Sequence, residues 1–460
     1  MEHLPEILFA SSIVLSRLYF IISSSKDKES SDHIASNKPH TPPYKFSSTP
    51  PPPPSTTYLN NPVNKVPISV IPSSPWASIR QIVGQIFPDY NNSDFSHSSG
   101  SLSHLADRLL CEPLSGGLSN LLFKVTIPSN NDGDLNIYLL FRVDADSPTE
   151  AVALVNKPVE CRIFTMLSKA KLAPTFYGQF QNGRVEEFYS DSSPISFSEM
   201  GATAAQLQFP NNRLSYAYSI AELMAEMHSL RVPENVCETK QIDPPMVIEQ
   251  VDKWWDWADD IDVPDGGFDG IDLLKVKRDW LWLKGDILFN NKPRSHNPSV
   301  GQKFAHDNVF THLDCQSLNI MASGRNFGPN HVKFIDFEYA GFNSRALDIA
   351  NTWLEHCDMN NNKADYKTEF PSLEQQRFFL ITYCKSCIDF DARLLDTSHF
   401  LEDFRREVLK FTLLSHLNWA LWSVIQYDQS EIEFDFLLYA KLRLKMFADM
   451  KIGLAYDDII

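Results

Sequence analysis

His312-Leu313-Asp314-Cys315-Gln316-Ser317-Leu318-Asn319, followed after a polar turn by Val332-Lys333-Phe334-Ile335-Asp336-Phe337-Glu338, is the stretch whose reading decides the fold. Ile320-Met321-Ala322 and Val332 to Ile335 read as short strands, and the Gly324 to Asn330 segment between them carries turn residues. Closing that hairpin brings Asn319 beside Asp336. A carboxylate and an amide carbonyl are the hard oxygen ligands that Mg2+ accepts. Asp314, five residues before Asn319 on an irregular loop, can then face the cation and take the proton of an attacking alcohol. Together they read as a metal-assisted phosphoryl-transfer site. The same short string on an ordinary surface loop is the competing reading.

The chain has 460 residues, enough for two core-bearing units. A formal charge of −17 argues against a nucleic-acid partner, which calls for a basic face, and suits a small cationic substrate. Seven cysteines, mostly in apolar surroundings, predict reduced thiols and a cytoplasmic protein. Cys384 and Cys387 form a lone C-x-x-C, which reads as a helical coincidence in the absence of a second pair. Ile7 to Ile22 is apolar, but it is short, contains Arg17 and follows no basic region, so no firm membrane insertion is predicted. Residues from Ser23 to about Pro75, with five consecutive prolines at Pro50 to Pro54, lack the apolar surface to offset their ordering entropy. The composition therefore predicts a mostly disordered arm over 1–75, serving as a spacer or as a polyproline ligand.

Order is predicted from Trp76, where Ile79, Ile82, Val83 and Ile86 recur at helical spacing. Ser115-Gly116-Gly117-Leu118-Ser119-Asn120 leads into the strand Leu121 to Ile127. Paired glycines let backbone N–H groups approach phosphate oxygens, although an ordinary hairpin turn looks the same. The strand Tyr138 to Val143 carries Arg142, a cation either for nucleotide phosphates or for an exposed edge. A helix over Pro158 to Ala170 carries Glu160, which can pair with Arg142 or lie on a solvated face. Phe176 to Phe180 and Arg184 to Tyr189 form the last hairpin of a small lobe.

Beyond it the pattern turns helical. Ala217, Ile220, Ala221, Met224 and His228 share one face of a core helix, with His228 read as a satisfied core histidine. Among Trp254, Trp255 and Trp257, at least one belongs to the core. Trp419 and Trp422, three residues apart, project from nearly one helix face, and Phe434, Phe436 and Tyr439 follow. Such rings are ordinary core, or the wall of an ammonium pocket in which each good cation-π contact contributes about 0.5–2 kcal/mol.

With these stretches in order, and with Leu347-Asp348-Ile349-Ala350-Asn351 and Trp419-Ala420-Leu421-Trp422-Ser423 added, the chain resembles the choline/ethanolamine kinase family from roughly Trp76 to the C-terminus. The resemblance implies an α+β, bilobal protein-kinase-like fold, with a β-rich N-lobe over 76–190 and a helical C-lobe over 191–460. It implies ATP and Mg2+ as cofactors and choline or ethanolamine as the small-molecule partner, and it is compatible with a homodimer. Carried over by position, Asp314 is the base, Asn319 and Asp336 are the Mg2+ ligands, and Gln316 contacts nucleotide. Ser115 to Asn120, Arg142, Glu187 and Tyr189 complete the nucleotide site. Glu355 faces the substrate ammonium, and Trp419, Trp422, Phe434, Phe436 and Tyr439 wall it. Asp348 resembles a brace of the catalytic loop. Leu313 departs from the family's usual Asn, Thr352-Trp353 from His-Phe, and Ser344 from an aromatic, while the base, the metal ligands and Glu355 are kept. The paired tryptophans and Arg184 to Phe188 look more like choline-type members, with an ethanolamine-specific kinase as one alternative and, given Leu313 and the proline-rich arm, a catalytically weak nucleotide-binding regulatory protein as the other.

Overall fold

The computed structural model describes residues 65–71, 73–88, 108–114, 120–129, 136–144, 157–201, 215–233, 236, 245–261, 268–288, 298–323, 332–358, 366–397, 399–430 and 434–455. The apolar run near the N-terminus, the proline-rich arm as far as residue 64, the glycine turn at 115–119 and the turn at 324–330 lie outside the described residues. The chain divides into two compact units, 1–147 with 175–188, and 148–174 with 189–460.

The smaller unit contains β1 (Lys65–Val66), α1 (Pro75–Ile86), β2 (Leu110–Leu114), β3 (Asn120–Ile127), β4 (Ile137–Asp144), β5 (Phe176–Phe180) and β6 (Gly183–Glu187). The strands form one sheet in the order β1-β5-β6-β4-β3-β2, with β1 parallel to β5 and the other pairs antiparallel. Alternation selects the buried face: Phe123, Val125 and Ile127 on β3 and Leu139, Phe141 and Val143 on β4 meet Ile79, Ile82, Val83 and Ile86 of α1. Each such side chain, once buried, contributes roughly 1.5–3 kcal/mol. Gly183 is needed at the β5–β6 turn because a Cβ there would lie 2.0 Å from the Arg142 carbonyl oxygen.

The arm is shorter than the sequence reading to Pro75. Val66 and Val70 are buried in this core with Ile68 packed against it, a period-2 pattern hidden between prolines. The Asn182 side chain secures the segment by accepting from the Val70 N–H at 2.8 Å and donating to the Val70 carbonyl at 2.9 Å.

The larger unit begins with α2 (Lys157–Lys169), followed by β7 (Ser192–Pro194), α3 (Tyr216–His228), α4 (Met246–Asp260), α5 (Leu273–Trp282) and α6 (Val300–His306). Next come β8 (Asn308–Thr311), β9 (Ile320–Ser323), β10 (Val332–Phe334), β11 (Gly341–Ser344) and α7 (Arg345–Leu354). Then follow α8 (Leu373–Ser386), α9 (Phe400–Gln429) and α10 (Phe436–Ala455). The sequence reading assigned α2 to the N-lobe, whereas it falls in the larger unit, where Phe164 packs edge-on against Phe337 at 6.4 Å. Glu160 is buried, with Lys157 Nζ 3.3 Å away, so it does not lie on a solvated face. Both Trp254 and Trp255 are core residues.

Helix α9 is apolar almost all round and buried over most of Phe404 to Ile425, which marks it as the central helix of this unit. By length and composition alone it is apolar enough to cross a membrane, but 94% of its apolar window is buried within the protein.

Glu407 joins α9 to α6, accepting hydrogen bonds from Gln302 Nε2 at 3.1 Å, His306 Nε2 at 3.0 Å and Lys410 Nζ at 2.8 Å. Burial works to raise its pKa, but the His306 hydrogen bond and the Lys410 charge outweigh it and bring the carboxyl to about 2. Because the folded value lies below the unfolded one, this stabilisation is present above about pH 4 and fades as pH falls toward 2. Glu407→Gln should cost on the order of 2 kcal/mol in urea unfolding at pH 7, with the gap to wild type narrowing below pH 4.

Candidate active site

Strands β8 and β11 pair with Thr311 opposite Gly341, so His312 leaves the sheet as β11 runs directly into α7. This puts Asp348, in the first turn of α7, under the loop that begins at His312. Its carboxylate is fully buried and accepts from the His312 N–H at 2.8 Å, the Leu313 N–H at 2.8 Å and His228 Nε2 at 2.9 Å. Burial pushes the Asp348 pKa up, but these hydrogen bonds and the neighbouring histidines win and hold it below the usual carboxylate range. His228 is the satisfied core histidine that the helical pattern predicted: with Nε2 donating to Asp348, its Nδ1 accepts from the Tyr383 hydroxyl at 2.7 Å, and that hydroxyl in turn accepts from Arg345 at 3.0 Å.

The loop's own histidine is tied at both ends. His312 Nε2 lies 3.0 Å from the Ile335 carbonyl and Nδ1 accepts from the Asp314 N–H at 3.3 Å, an arrangement satisfied by the neutral Nε2-protonated ring. Burial lowers its pKa, in keeping with that neutral form. Leu313 adopts φ 66°, a left-handed conformation that Asn tolerates and Leu does not favour. The departure from Asn thus carries roughly 1–2 kcal/mol of backbone strain, and the Asp348 bond to its N–H helps to hold it in place.

Beyond the loop, β9 and β10 pair antiparallel with Phe334 opposite Ile320, and the Ile335 N–H donates to the Asn319 carbonyl at 3.0 Å. Asn319 and Asp336 therefore sit at the same end of one hairpin. Asn319 Nδ2 donates to the Asp314 Oδ2 at 2.8 Å and to its carbonyl at 2.9 Å, which leaves the amide Oδ1 without a hydrogen bond among the described residues. That free oxygen and the half-buried Asp336 carboxylate fit a hard cation. Among the described residues no three His, Cys, Asp or Glu side chains converge into a cage. Mg2+ needs none, because it usually keeps waters and binds through one or two carboxylates plus substrate phosphates.

Burial pushes the Asp314 carboxyl well above the ordinary range, and the charges of Glu355, Asp336 and Glu338 push it further. Four carboxylates thus crowd one region. Glu355, the C-cap of α7, is held by Arg443 of α10, whose Nη2 donates to Glu355 Oε1 at 2.6 Å. Arg443 also donates to the Tyr439 hydroxyl, from Nε at 2.9 Å and from Nη2 at 2.6 Å. Sequence reasoning missed this arginine; its spacing of four from Tyr439 on one helix was the available signal.

The structure brings the five predicted rings together. Trp419 and Trp422 are 5.7 Å apart, Trp422 and Phe436 5.9 Å, Phe434 and Phe436 4.8 Å, and Phe434 and Tyr439 5.9 Å. Tyr339, not singled out as a wall residue from the sequence, joins them 5.2 Å from Trp419, and its hydroxyl accepts from Trp422 Nε1 at 2.9 Å. Trp419 Nε1 donates to Asn351 Oδ1 at 2.8 Å, so both indoles are pinned by polar partners.

Of the residues that the resemblance assigns to nucleotide, Arg142 and Glu187 lie on strands of the small unit, and Tyr189 and Gln316 belong to the larger one. Arg142 is buried with its Nε 3.2 Å from Glu186 Oε1 in an ion pair, and Glu186 Oε2 accepts from Arg184 Nε at 2.9 Å. The Glu187 carboxylate accepts from the Thr175 hydroxyl at 2.7 Å and N–H at 3.1 Å. Tyr189 belongs to the larger unit, where Lys333 Nζ lies 4.2 Å from its ring centroid. Gln316 precedes the short 3-10 turn at Ser317–Asn319, its Nε2 3.5 Å from Asp314 Oδ2. Ser115, Gly116, Gly117, Leu118 and Ser119 fall outside the described residues, as does the side chain of Asn120.

Asp348→Ala should leave three buried donors unpaired and lose roughly 3 kcal/mol in urea unfolding. Turnover should drop about 100-fold as the loop relaxes, measured at a temperature where the variant remains folded.

The choline/ethanolamine kinase family profile matches residues 111–448. A human choline/ethanolamine kinase is 29% identical over 354 residues, covering 75% of this chain and 81% of the relative. Probable choline kinase 3 of Arabidopsis thaliana is 28% identical, covering 82% and 94%. Probable ethanolamine kinase A of Dictyostelium discoideum is 26% identical, covering 75% and 86%. Among solved structures, a Cryptosporidium parvum choline kinase superposes with a TM-score of 0.61 at 21% identity, covering 83% of this chain and 97% of the other, which shows the α+β kinase-like fold. The chain belongs to the choline/ethanolamine kinase family and is an alcohol-acceptor phosphotransferase.

Proposed function

We propose that this protein transfers the γ-phosphoryl group of ATP to the hydroxyl of choline, with ethanolamine a poorer acceptor, and that Asn319 and Asp336 hold Mg2+. The observation that carries the acceptor site is geometric. Tyr339, three residues after Asp336, lies 5.2 Å from Trp419, and its hydroxyl accepts from Trp422 Nε1 at 2.9 Å. Arg443 bonds both Glu355 and the Tyr439 hydroxyl at the other end of the ring cluster, which supports a common site for the carboxylates and the aromatic wall. When bound, Mg2+ supplies charge neutralisation at the phosphate oxygens.

The chain's own residues do the rest. The hydrogen bond from Asn319 fixes Asp314 Oδ2, leaving Oδ1 to take the proton of the acceptor hydroxyl. The like charges around Asp314 raise its proton affinity, which suits a base. Ring faces favour a quaternary ammonium, which has no N–H donors to satisfy, over a primary one, which has three. The free thiols of the six described cysteines support a cytoplasmic setting, where the product would serve as a phospholipid headgroup precursor.

Asp314→Ala and Asp336→Ala should each lower kcat by about 10³-fold or more with ATP and choline, read by phosphocholine formation. In a competition with both amino alcohols and limiting ATP, phosphocholine should predominate. Equal or greater phosphoethanolamine formation would reverse the order of acceptors, and retained turnover in either variant would remove the assigned roles.

A further inference from the structure

We infer that Arg443 is a specificity-determining positioning residue, which favours a quaternary over a primary ammonium by occupying one of the two oxygens that Glu355 could offer the substrate. The inference rests on the reading of Glu355 as the carboxylate that faces the substrate nitrogen. Arg443 is 1% exposed and stands one turn beyond Tyr439 on α10. Its Nη2 bridges Glu355 Oε1 and the Tyr439 hydroxyl, each at 2.6 Å, and Nε adds a second bond to that hydroxyl at 2.9 Å. The guanidinium carbon lies 5.1 Å from the Tyr439 ring centroid, so the same cation steadies a wall ring and the carboxylate. Glu355 Oε2 has no hydrogen-bond partner among the described residues, which leaves one oxygen for an incoming ligand. Arg443 Nη1 is buried without a partner, so this guanidinium is placed for Glu355 and Tyr439 rather than for its own full satisfaction.

The chemistry follows from what each ammonium needs. A primary ammonium brings three N–H donors and loses affinity when buried without oxygen acceptors. A trimethylammonium brings none and is held by ring faces, which Arg443 leaves in place. With Glu355 half occupied and its charge offset, the site supplies one acceptor oxygen where the primary ammonium would use two. Asp314 is engaged by Asn319 at 2.8 Å and assigned to the hydroxyl end.

The test compares choline and ethanolamine with the full-length protein as wild type, Arg443→Gln and Arg443→Lys. Arg443→Gln should raise the ethanolamine-to-choline ratio of kcat/KM about tenfold, the worth of one charge-assisted hydrogen bond, chiefly through a lower KM for ethanolamine. Lysine keeps the buried charge but lacks the fork that reaches both partners, so Arg443→Lys should move the ratio the same way by about threefold and serves if the glutamine variant does not fold. An unchanged ratio in the folded variants, with both substrates losing kcat equally, would reduce Arg443 to a structural brace. Isothermal titration with each amino alcohol reads the same ratio as dissociation constants without turnover. Absence of product from wild type would therefore overturn the kinase reading, while Arg443 would stand or fall on the binding ratio alone.

Discussion

The buried carboxylate of Asp348 is the constraint on which the active-site loop depends. A charge with no exposure survives in a protein interior only if its oxygens are filled, and here two loop amides and His228 fill them. Those same bonds hold Leu313 in a left-handed conformation that its side chain resists. The brace extends outward through His228, Tyr383 and Arg345, linking three helices of the larger unit to the loop. The position of Asp314 is therefore set by α7 more than by its own loop.

A second balance concerns charge. The charges of Glu355, Asp336 and Glu338 all act on the buried Asp314, and like charges in low dielectric repel strongly. Arg443 offsets Glu355. The hydrogen bond from Asn319 serves Asp314, while the net excess of carboxylate suits a site whose ligands bring a divalent cation and an ammonium. The aromatic rings supply what the carboxylates cannot, an attraction for positive charge that demands no hydrogen bond.

Much of this was legible in the sequence, for identifiable reasons. The β9–β10 hairpin announced itself by short apolar runs around a turn, and its register follows from that pattern. The face of α3 and the strands β3 and β4 were carried by simple periodicity of 3.6 and 2. The pairing of β1 was hidden because Val66, Ile68 and Val70 alternate between prolines, and their partners, Phe180, Gln181 and Asn182, lie more than a hundred residues away. Helix α2 read as part of the small lobe by position along the chain, yet it falls in the larger unit, with Phe164 against Phe337.

By itself the sequence determined which side chains were available: the Asp314, Asn319 and Asp336 set, the paired tryptophans and the family to which their order belongs. Local periodicity and motif spacing carry that information because they act over a few residues. Only the tertiary structure decided which partners those side chains take. Arg443 on Glu355, Tyr339 on Trp419 and Trp422, and Asp348 under Leu313 are contacts between segments far apart in the chain. Their energies depend on distance and burial, and neither is set until the helices pack.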